Sequence, residues 1–190
     1  MRGWFQTGLA GVMAFAVLSC TRVPDASDAV VLCRVEADRS APSPSLYAAY
    51  GTGGPTQCLS LADLMRLESV TLETDFPQGG ALSRWTGPPV SAVLEALNVP
   101  ANSDLRLTAL DGYQVVAPAR QLAESDPVLA YQRDGDLLAL GDLGPLILVW
   151  PRHTDSRLGE MTDDLWPWAI FTLEVLATGD AGEDVAMAHG

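Results

Sequence analysis

Short apolar runs separated by turn residues dominate the hydrophobic pattern of this chain. Residues 70–74 alternate branched and polar side chains, which predicts a strand with one buried face. Residues 146–150 are continuously apolar and predict a central strand covered on both faces. The Asp-Gly pairs at 111–112 and 134–135 are signals for two-residue hairpin turns. The predicted strands are 29–35, 70–74, 105–110, 113–117, 128–131, 137–140, 146–150 and 168–176.

Helical signals are fewer. Ser60 and Asp63 have the spacing of a capping-box variant, which opens a short helix. An apolar stripe at spacings of three and four over residues 90–97, led in by two prolines, predicts an amphipathic helix. Residues 118–123 add one helical turn. Short helices among at least six strands predict one compact, strand-rich α+β domain over residues 29–178.

The first residues have the pattern of an export signal. Arg2 precedes an uncharged apolar run over residues 8–18, shorter than the roughly 20 residues that span a bilayer. The run ends in a serine followed by Cys20, which resembles the lipobox cut by the lipoprotein signal peptidase. We expect residues 1–19 to be removed, Cys20 to carry lipid and residues 20–28 to form a tether. The alternative is an ordinary secretory signal and a soluble periplasmic or secreted protein.

Charge and composition exclude several classes of binding partner and of catalytic site. The net charge of −13 makes nucleic acid and anionic lipid headgroups poor partners. The chain has no lysine, which excludes phosphate-loop, Schiff-base and Ser-Lys chemistry. Thr21, where aspartate would retain a lipoprotein at the inner membrane, indicates the periplasmic side of the outer membrane. Residues 179–190 are predicted to be a disordered acidic tail. The carboxylates interpreted as a soluble acidic surface are Asp63, Glu68, Glu73, Asp75, Asp163 and Asp164.

Cysteine usage predicts one disulfide. If Cys20 carries lipid, an oxidising compartment favours a bond between Cys33 and Cys58. Two separate buried thiols are the alternative. A zinc site is not expected, because His153 and His189 are the two histidines of the chain and no ligand pair has metal spacing.

Four motifs follow one another through the body of the chain: Trp85-Thr86-Gly87 before the amphipathic helix, Ala109-Leu110-Asp111-Gly112-Tyr113, Leu129-Ala130-Tyr131 with Asp134-Gly135, and Gly144-Pro145-Leu146 running into Val149-Trp150-Pro151. In this order they resemble the oxidoreductase molybdopterin-binding domain family, which has the catalytic fold of sulfite oxidase. The resemblance covers about residues 60–176. It implies that fold and, in ordinary members, a molybdenum cofactor.

The family's metal ligand is missing from this sequence. In that family a cysteine thiolate binds molybdenum at the end of the strand that here covers residues 70–74. Glu73 and Thr74 stand there, and no cysteine follows Cys58. Oxygen does not replace a soft, anionic sulfur ligand. The second half offers few arginines for the pterin phosphate: Arg106, Arg120, Arg133, Arg152 and Arg157. No cofactor is therefore expected, and molybdopterin is the alternative.

The type of export signal also argues against a molybdenum cofactor. Exported members of the family receive their cofactor in the cytoplasm as folded proteins and need the twin-arginine route. Arg2 stands alone in this signal, and a lipobox signal implies export of the unfolded chain.

The sequence thus predicts a non-catalytic relative: a lipid-anchored binding or interaction module that presents the cleft of the fold to a small ligand or an envelope sensor protein. A genuine molybdopterin-dependent oxidoreductase with an unusual ligand and a purely structural envelope lipoprotein are the alternatives. The competing interpretation of the cleft residues is two core aromatics and a solvated loop. The candidate cleft residues, carried over by position, are Thr74, Trp85, Tyr113, Arg152 and His153.

Overall fold

Eleven strands and three short helices follow one another in the part of the chain that the computed structural model describes, residues 26–36 and 55–176. The predicted signal peptide, Cys20, most of the tether and the acidic tail lie outside these residues. The helices are α1 (Leu61–Arg66), α2 (Val90–Ala96) and α3 (Ala119–Ser125), and single 3-10 turns cover Ala26–Asp28, Ser156–Leu158 and Asp163–Leu165. The strands are β1 (Val30–Glu36), β2 (Pro55–Ser60), β3 (Val70–Asp75), β4 (Leu82–Gly87), β5 (Asp104–Ala109), β6 (Gln114–Pro118), β7 (Val128–Ala130), β8 (Gln132–Arg133), β9 (Asp136–Leu137), β10 (Ile147–Val149) and β11 (Ile170–Leu176).

The largest sheet has the strand order β2-β1-β11-β5-β6. Its centre is β11, which runs parallel to β1 and antiparallel to β5. The turn at 111–112 joins β5 to β6, and Gly112 has a φ of 91°, which glycine adopts without steric cost. The predicted hairpin is confirmed, and the mixture of strands and helices is the predicted α+β class.

The strand predicted to be central is placed differently. Residues 146–150 are all buried, as expected, but β10 pairs with β7 in a sheet of two strands. A continuously apolar run reports burial on both faces. It carries no information about how many strands lie beside it, because ladder partners come from distant parts of the chain.

A third sheet has the order β3-β4-β8-β9. The turn at 134–135 is confirmed, but it joins β8 to β9, and β7 pairs with β10 instead of forming this hairpin. The sequence did not predict β4, because this strand directs Ser83 inward beside Trp85 while Leu82 is exposed. Gly87, which ends β4, lies so close to β7 that a Cβ atom there would overlap the carbonyl oxygen of Leu129.

The burial of β3 also departs from the predicted alternation. Val70 and Glu73 are exposed, whereas Thr74 and Asp75 are both buried. The strand therefore starts at the surface and ends inside the protein, which delivers two polar side chains in a row to the interior.

Helix ends follow the sequence signals. The Ser60 hydroxyl accepts from the Asp63 N–H at 3.1 Å, and the Asp63 carboxylate accepts from the Ser60 N–H at 2.9 Å, so the capping box at α1 is confirmed. Helix α2 begins after Pro89 and buries its predicted stripe against the hydrophobic core, and α3 replaces the single helical turn that was expected. Within the described ranges, no helix has both the length and the apolar character needed to span a membrane.

Cys33 and Cys58 form a disulfide, as predicted. The two residues lie opposite each other on β1 and β2, and their Cα atoms are 4.1 Å apart. Cys58 belongs to a strand, where the sequence suggested the end of a loop. The bond fastens edge strand β2 to the sheet.

Reduction of this disulfide is expected to lower the free energy of unfolding by about 3–4 kcal/mol, because it releases a loop closed over a sequence separation of 25 residues in the unfolded chain. Urea titrations with and without reductant measure the difference. The Cys33→Ser/Cys58→Ser double variant is the control, since reductant should not change its midpoint. Equal stability of the oxidised and reduced proteins would contradict the expectation.

Candidate functional site

A cluster of charged side chains joins the end of β3 to the loop after β10. Arg152 donates from Nε to Asp75 Oδ1 at 3.0 Å and from a terminal nitrogen to the backbone oxygen of Asp75 at 3.0 Å. Its other terminal nitrogen donates to Asp163 Oδ1 and to the backbone oxygen of Met161, both at 2.9 Å. His153 Nε2 lies 3.2 Å from Asp75 Oδ1. We call Asp75, Arg152, His153 and Asp163 the Arg152 cluster.

The carboxylate of Asp75 is the buried centre of this cluster. Its second oxygen accepts from the Gly79 N–H at 2.6 Å. Burial alone would raise the pKa of Asp75, but the Gly79 hydrogen bond, the Arg152 guanidinium and the nearby His153 outweigh burial and hold that pKa below its usual value. The ion pair is therefore maintained at neutral pH.

Aromatic rings surround the guanidinium and extend to the surface. The Arg152 Cζ atom lies 4.4 Å from the ring centroid of Trp166, a cation–π distance. Phe76 stacks on Trp166 at 5.6 Å and meets Trp85 edge-on at 6.2 Å. Trp168 lies 5.9 Å from Phe76 and stacks on Tyr113 at 6.4 Å. The rings that we call the ring cluster are Phe76, Trp85, Tyr113, Trp166 and Trp168.

Two polar atoms of this region have no hydrogen-bond partner in the structure. They are Thr74 Oγ1 and Trp166 Nε1, and both residues are fully buried. The Thr74 backbone, by contrast, accepts from Trp85 Nε1 at 3.3 Å. A buried polar atom without a partner costs about 1–3 kcal/mol. The interior beside Arg152 therefore contains two polar groups that could still form a hydrogen bond.

The structure brings four of the five predicted cleft residues to one place. Thr74 and Trp85 lie on neighbouring strands, and Arg152 and His153 reach the end of β3 through Asp75. Tyr113 lies at the edge of this region, where its ring contacts Trp168, which in turn contacts Phe76. Tyr113 is half-exposed and donates to the backbone oxygen of Asp164 at 2.6 Å.

The competing interpretations are correct only in part. Trp85 is a fully buried core aromatic, whereas Tyr113 is at the surface. The Arg152 side chain is 4% exposed, so it does not belong to a solvated loop, and the His153 side chain is 48% exposed. Arg152 enters the interior because Asp75 is there to neutralise it.

Sequence reasoning missed two carboxylates of this site and the rings of Phe76, Trp166 and Trp168. Asp75 and Asp163 were interpreted as parts of an acidic surface, which is wrong for Asp75, because it is buried, and incomplete for Asp163, because it binds Arg152. The three rings were not singled out as site residues. The available signal was local: Asp75 precedes Phe76-Pro77 and Arg152 follows Trp150-Pro151, each at the end of a predicted strand.

Asp75 gives the fold a defined pH dependence. Because its pKa is lower in the folded protein than in the unfolded chain, its stabilising contribution is complete above the unfolded value of about 3.9 and is lost as the pH falls through the lower, folded value. We expect the free energy of unfolding to fall more steeply below about pH 4 in the wild type than in Asp75→Asn. Urea titrations over an acid series measure the slopes, with Asp142→Asn as the matched change at an exposed carboxylate. Parallel curves for the wild type and Asp75→Asn would contradict this assignment.

Comparison with known proteins supports the fold and goes no further. No protein-family model matches the sequence, and no curated protein matches it. Among solved structures, the chain is similar to the sulfane dehydrogenase SoxCD from Paracoccus pantotrophus, with a TM-score of 0.53 and 15% sequence identity. The similarity covers 81% of this chain and 40% of that one, so this protein spans less than half of its structural neighbour. At this identity the likeness concerns the fold alone, which agrees with the fold that the sequence motifs resemble.

The residues at the end of β3 do not fit a molybdenum cofactor held through sulfur. Thr74 offers a hydroxyl, Glu73 is exposed, and the Asp75 carboxylate is bound by Arg152. In residues 26–36 and 55–176, sulfur belongs to the disulfide and to two methionines, and no three His, Cys, Asp or Glu side chains are grouped to hold a metal. The five arginines of the second half each lie within ion-pair distance of a carboxylate: Arg106, Arg120, Arg133, Arg152 and Arg157. A pterin phosphate would therefore compete with these carboxylates for the arginines of the second half.

Proposed function

We propose that this protein is a non-catalytic binding or interaction module of the cell envelope, anchored through a lipid on Cys20. It has a fold similar to that of a sulfane dehydrogenase, and its N-terminal residues have the pattern of a lipoprotein signal. In this proposal the fold serves to present a surface to an envelope sensor protein or a small ligand. Molybdopterin chemistry is not part of it.

The main observation behind the proposal is that the charged groups of the Arg152 cluster bind one another. The guanidinium of Arg152 is committed to two carboxylates and two backbone oxygens. A cluster arranged in this way holds the end of β3 and the loop after β10 together. The Arg152 guanidinium is already neutralised, and the cluster contains no thiolate for a metal-bearing cofactor.

Two half-exposed side chains mark the surface above this cluster. His153 has 48% of its side chain exposed, and Tyr113 has 41% of its residue surface exposed. Both contact a less exposed side chain: His153 contacts the buried Asp75, and Tyr113 contacts the partly buried Trp168. Rigidly supported, partly exposed rings are typical of the anchors of binding surfaces, since little side-chain entropy is lost on binding.

Metal analysis tests whether the protein lacks molybdopterin-dependent catalysis. Protein purified from its native envelope, without overexpression, should contain molybdenum far below one atom per chain and no organic dithiolene. Stoichiometric molybdenum with its pterin would overturn the proposal and establish the oxidoreductase alternative. A protein of known molybdenum content, purified in parallel, controls for metal loss.

Surface variants distinguish a binding module from a structural lipoprotein. His153→Ala and Tyr113→Ala should each abolish complementation of a deletion strain while leaving protein level and thermal stability close to wild type, because both side chains are half-exposed. Arg120→Ala is the matched control, since Arg120 is exposed and lies in a separate helix. Full complementation by both variants would favour a purely structural role.

A further inference from the structure

An apolar groove runs along the first half of β1, away from the Arg152 cluster. Its volume is 290 Å³, and each lining residue among those that the structure describes has an apolar or half-cystine side chain. The groove is lined by residues 29–33 of β1 and the segment before it, by Phe171 of β11, and by Leu110, Leu140 and Pro145 from loops. We call this feature the β1 groove.

The rim of the groove exposes large apolar side chains to water. Leu140 is 73% exposed, Val30 is 61% exposed and Leu110 is 37% exposed. Contiguous apolar surface of this kind is unfavourable in water and marks sites where another apolar group binds. The described lining residues carry no charged side chain and expose mainly apolar surface, which suits a hydrocarbon chain better than a charged ligand.

The groove begins where the chain arrives from its predicted lipid anchor. Ala29 lines the groove, and Cys20 precedes it by nine residues in the sequence. Nine residues reach at most about 30 Å when fully extended. A lipid attached to Cys20 is therefore confined to the neighbourhood of the groove, which raises its effective concentration there.

We propose that the β1 groove binds one acyl chain of the lipid carried by Cys20. This inference rests on the lipid anchor in the proposed function and adds an internal binding site for it. The hydrocarbon replaces water against Val30, Leu110 and Leu140. An acyl chain held in this way is shielded from water whenever the protein is not inserted in a membrane.

A fluorescent fatty acid tests the groove directly. Cys20→Ser protein, which cannot be lipidated, should bind cis-parinaric acid at one molecule per chain in a steroid detergent that has no acyl chain of its own. Val30→Asp or Leu140→Asp in that background should weaken binding at least about tenfold. Both positions are at the exposed rim, so the variants keep the fold. Leu82→Asp is the matched control at an exposed leucine that does not line the groove. Absence of binding, or equal loss in the control, would overturn the proposal.

The source of the acyl chain is tested with the lipidated protein in the same detergent. It should bind parinaric acid at least about tenfold more weakly than Cys20→Ser, because its own chain fills the groove. Equal binding by the two proteins would show that the anchor does not occupy the groove. The intact mass of the native protein is measured beforehand. A mass without lipid would refute the anchor of the proposed function itself, a failure distinct from a lipidated protein whose groove stays open.

Discussion

Replacement of Arg152 by methionine is expected to lower the free energy of unfolding by about 3–5 kcal/mol, since it leaves the Asp75 carboxylate buried without its cation. Methionine keeps much of the side-chain volume against Trp166, so the loss reports the charge and its hydrogen bonds more than a cavity. Urea denaturation at neutral pH, followed by tryptophan fluorescence and circular dichroism, measures the change.

Two comparisons separate this effect from a general cost of removing arginine. Arg157→Met removes an arginine whose side chain is 76% exposed and should cost less than about 1 kcal/mol, although Arg157 also pairs with an aspartate. The double variant Asp75→Asn/Arg152→Met should recover part of the loss, because it removes the unpaired charge. A loss for Arg152→Met no larger than that for Arg157→Met would show that the Arg152 cluster does not stabilise the fold.

Replacement of Trp85 by alanine is expected to cost about 3–5 kcal/mol. Trp85 is fully buried, contacts Phe76 edge-on and donates to the Thr74 carbonyl, so alanine leaves a cavity and an unpaired carbonyl together. The guanidinium of Arg133 also lies 5.0 Å from the Trp85 ring. The midpoint of urea unfolding should fall with little change in the slope.

Tyr113→Ala is the matched control for Trp85→Ala. Tyr113 belongs to the same ring cluster but is 41% exposed and contacts Trp168 alone among these rings, so its removal should cost about 1 kcal/mol. The contrast matters for function as well as stability. If Tyr113→Ala were as destabilising as Trp85→Ala, a loss of complementation by Tyr113→Ala could no longer be attributed to a binding surface.

The Arg152 cluster supplies the partners that the buried end of β3 requires. Two polar residues, Thr74 and Asp75, are buried in a row at the end of β3. Burial of a carboxylate is costly unless it is paired and hydrogen-bonded. In this protein Arg152, His153 and the Gly79 N–H provide those partners from within the chain. The end of β3 is thus neutralised by the protein's own residues.

The predicted site residues show how well family positions can be carried over to this sequence from the motif order. Thr74 and Arg152 were selected from the motif order, and both lie next to Asp75: Thr74 precedes it on β3, and Arg152 donates to its carboxylate and its backbone oxygen. Asp75 itself was missed, because a single carboxylate in a protein with 24 acidic residues is indistinguishable from the solvated ones by composition. Whether these residues form a functional site stays a prediction.

Signals that act over a few residues determined a large part of this protein. The capping box of α1, the proline-led stripe of α2 and the two Asp-Gly turns each depend on hydrogen bonds and sterics between near neighbours, and all are present in the structure. The pairing of Cys33 with Cys58 was also predicted from the sequence, since one pair remains once Cys20 is assigned to the lipid.

Only the tertiary structure decided which strands lie side by side and which charges meet. β11 became the centre of the large sheet, β10 paired with β7, and Arg152 met an aspartate 77 positions earlier in the chain. Apolar patterns specify that a segment is buried, but every buried strand offers the same backbone hydrogen bonds to any neighbour. The choice among neighbours, and with it the pairing of Asp75 with Arg152, is made by how the whole chain packs.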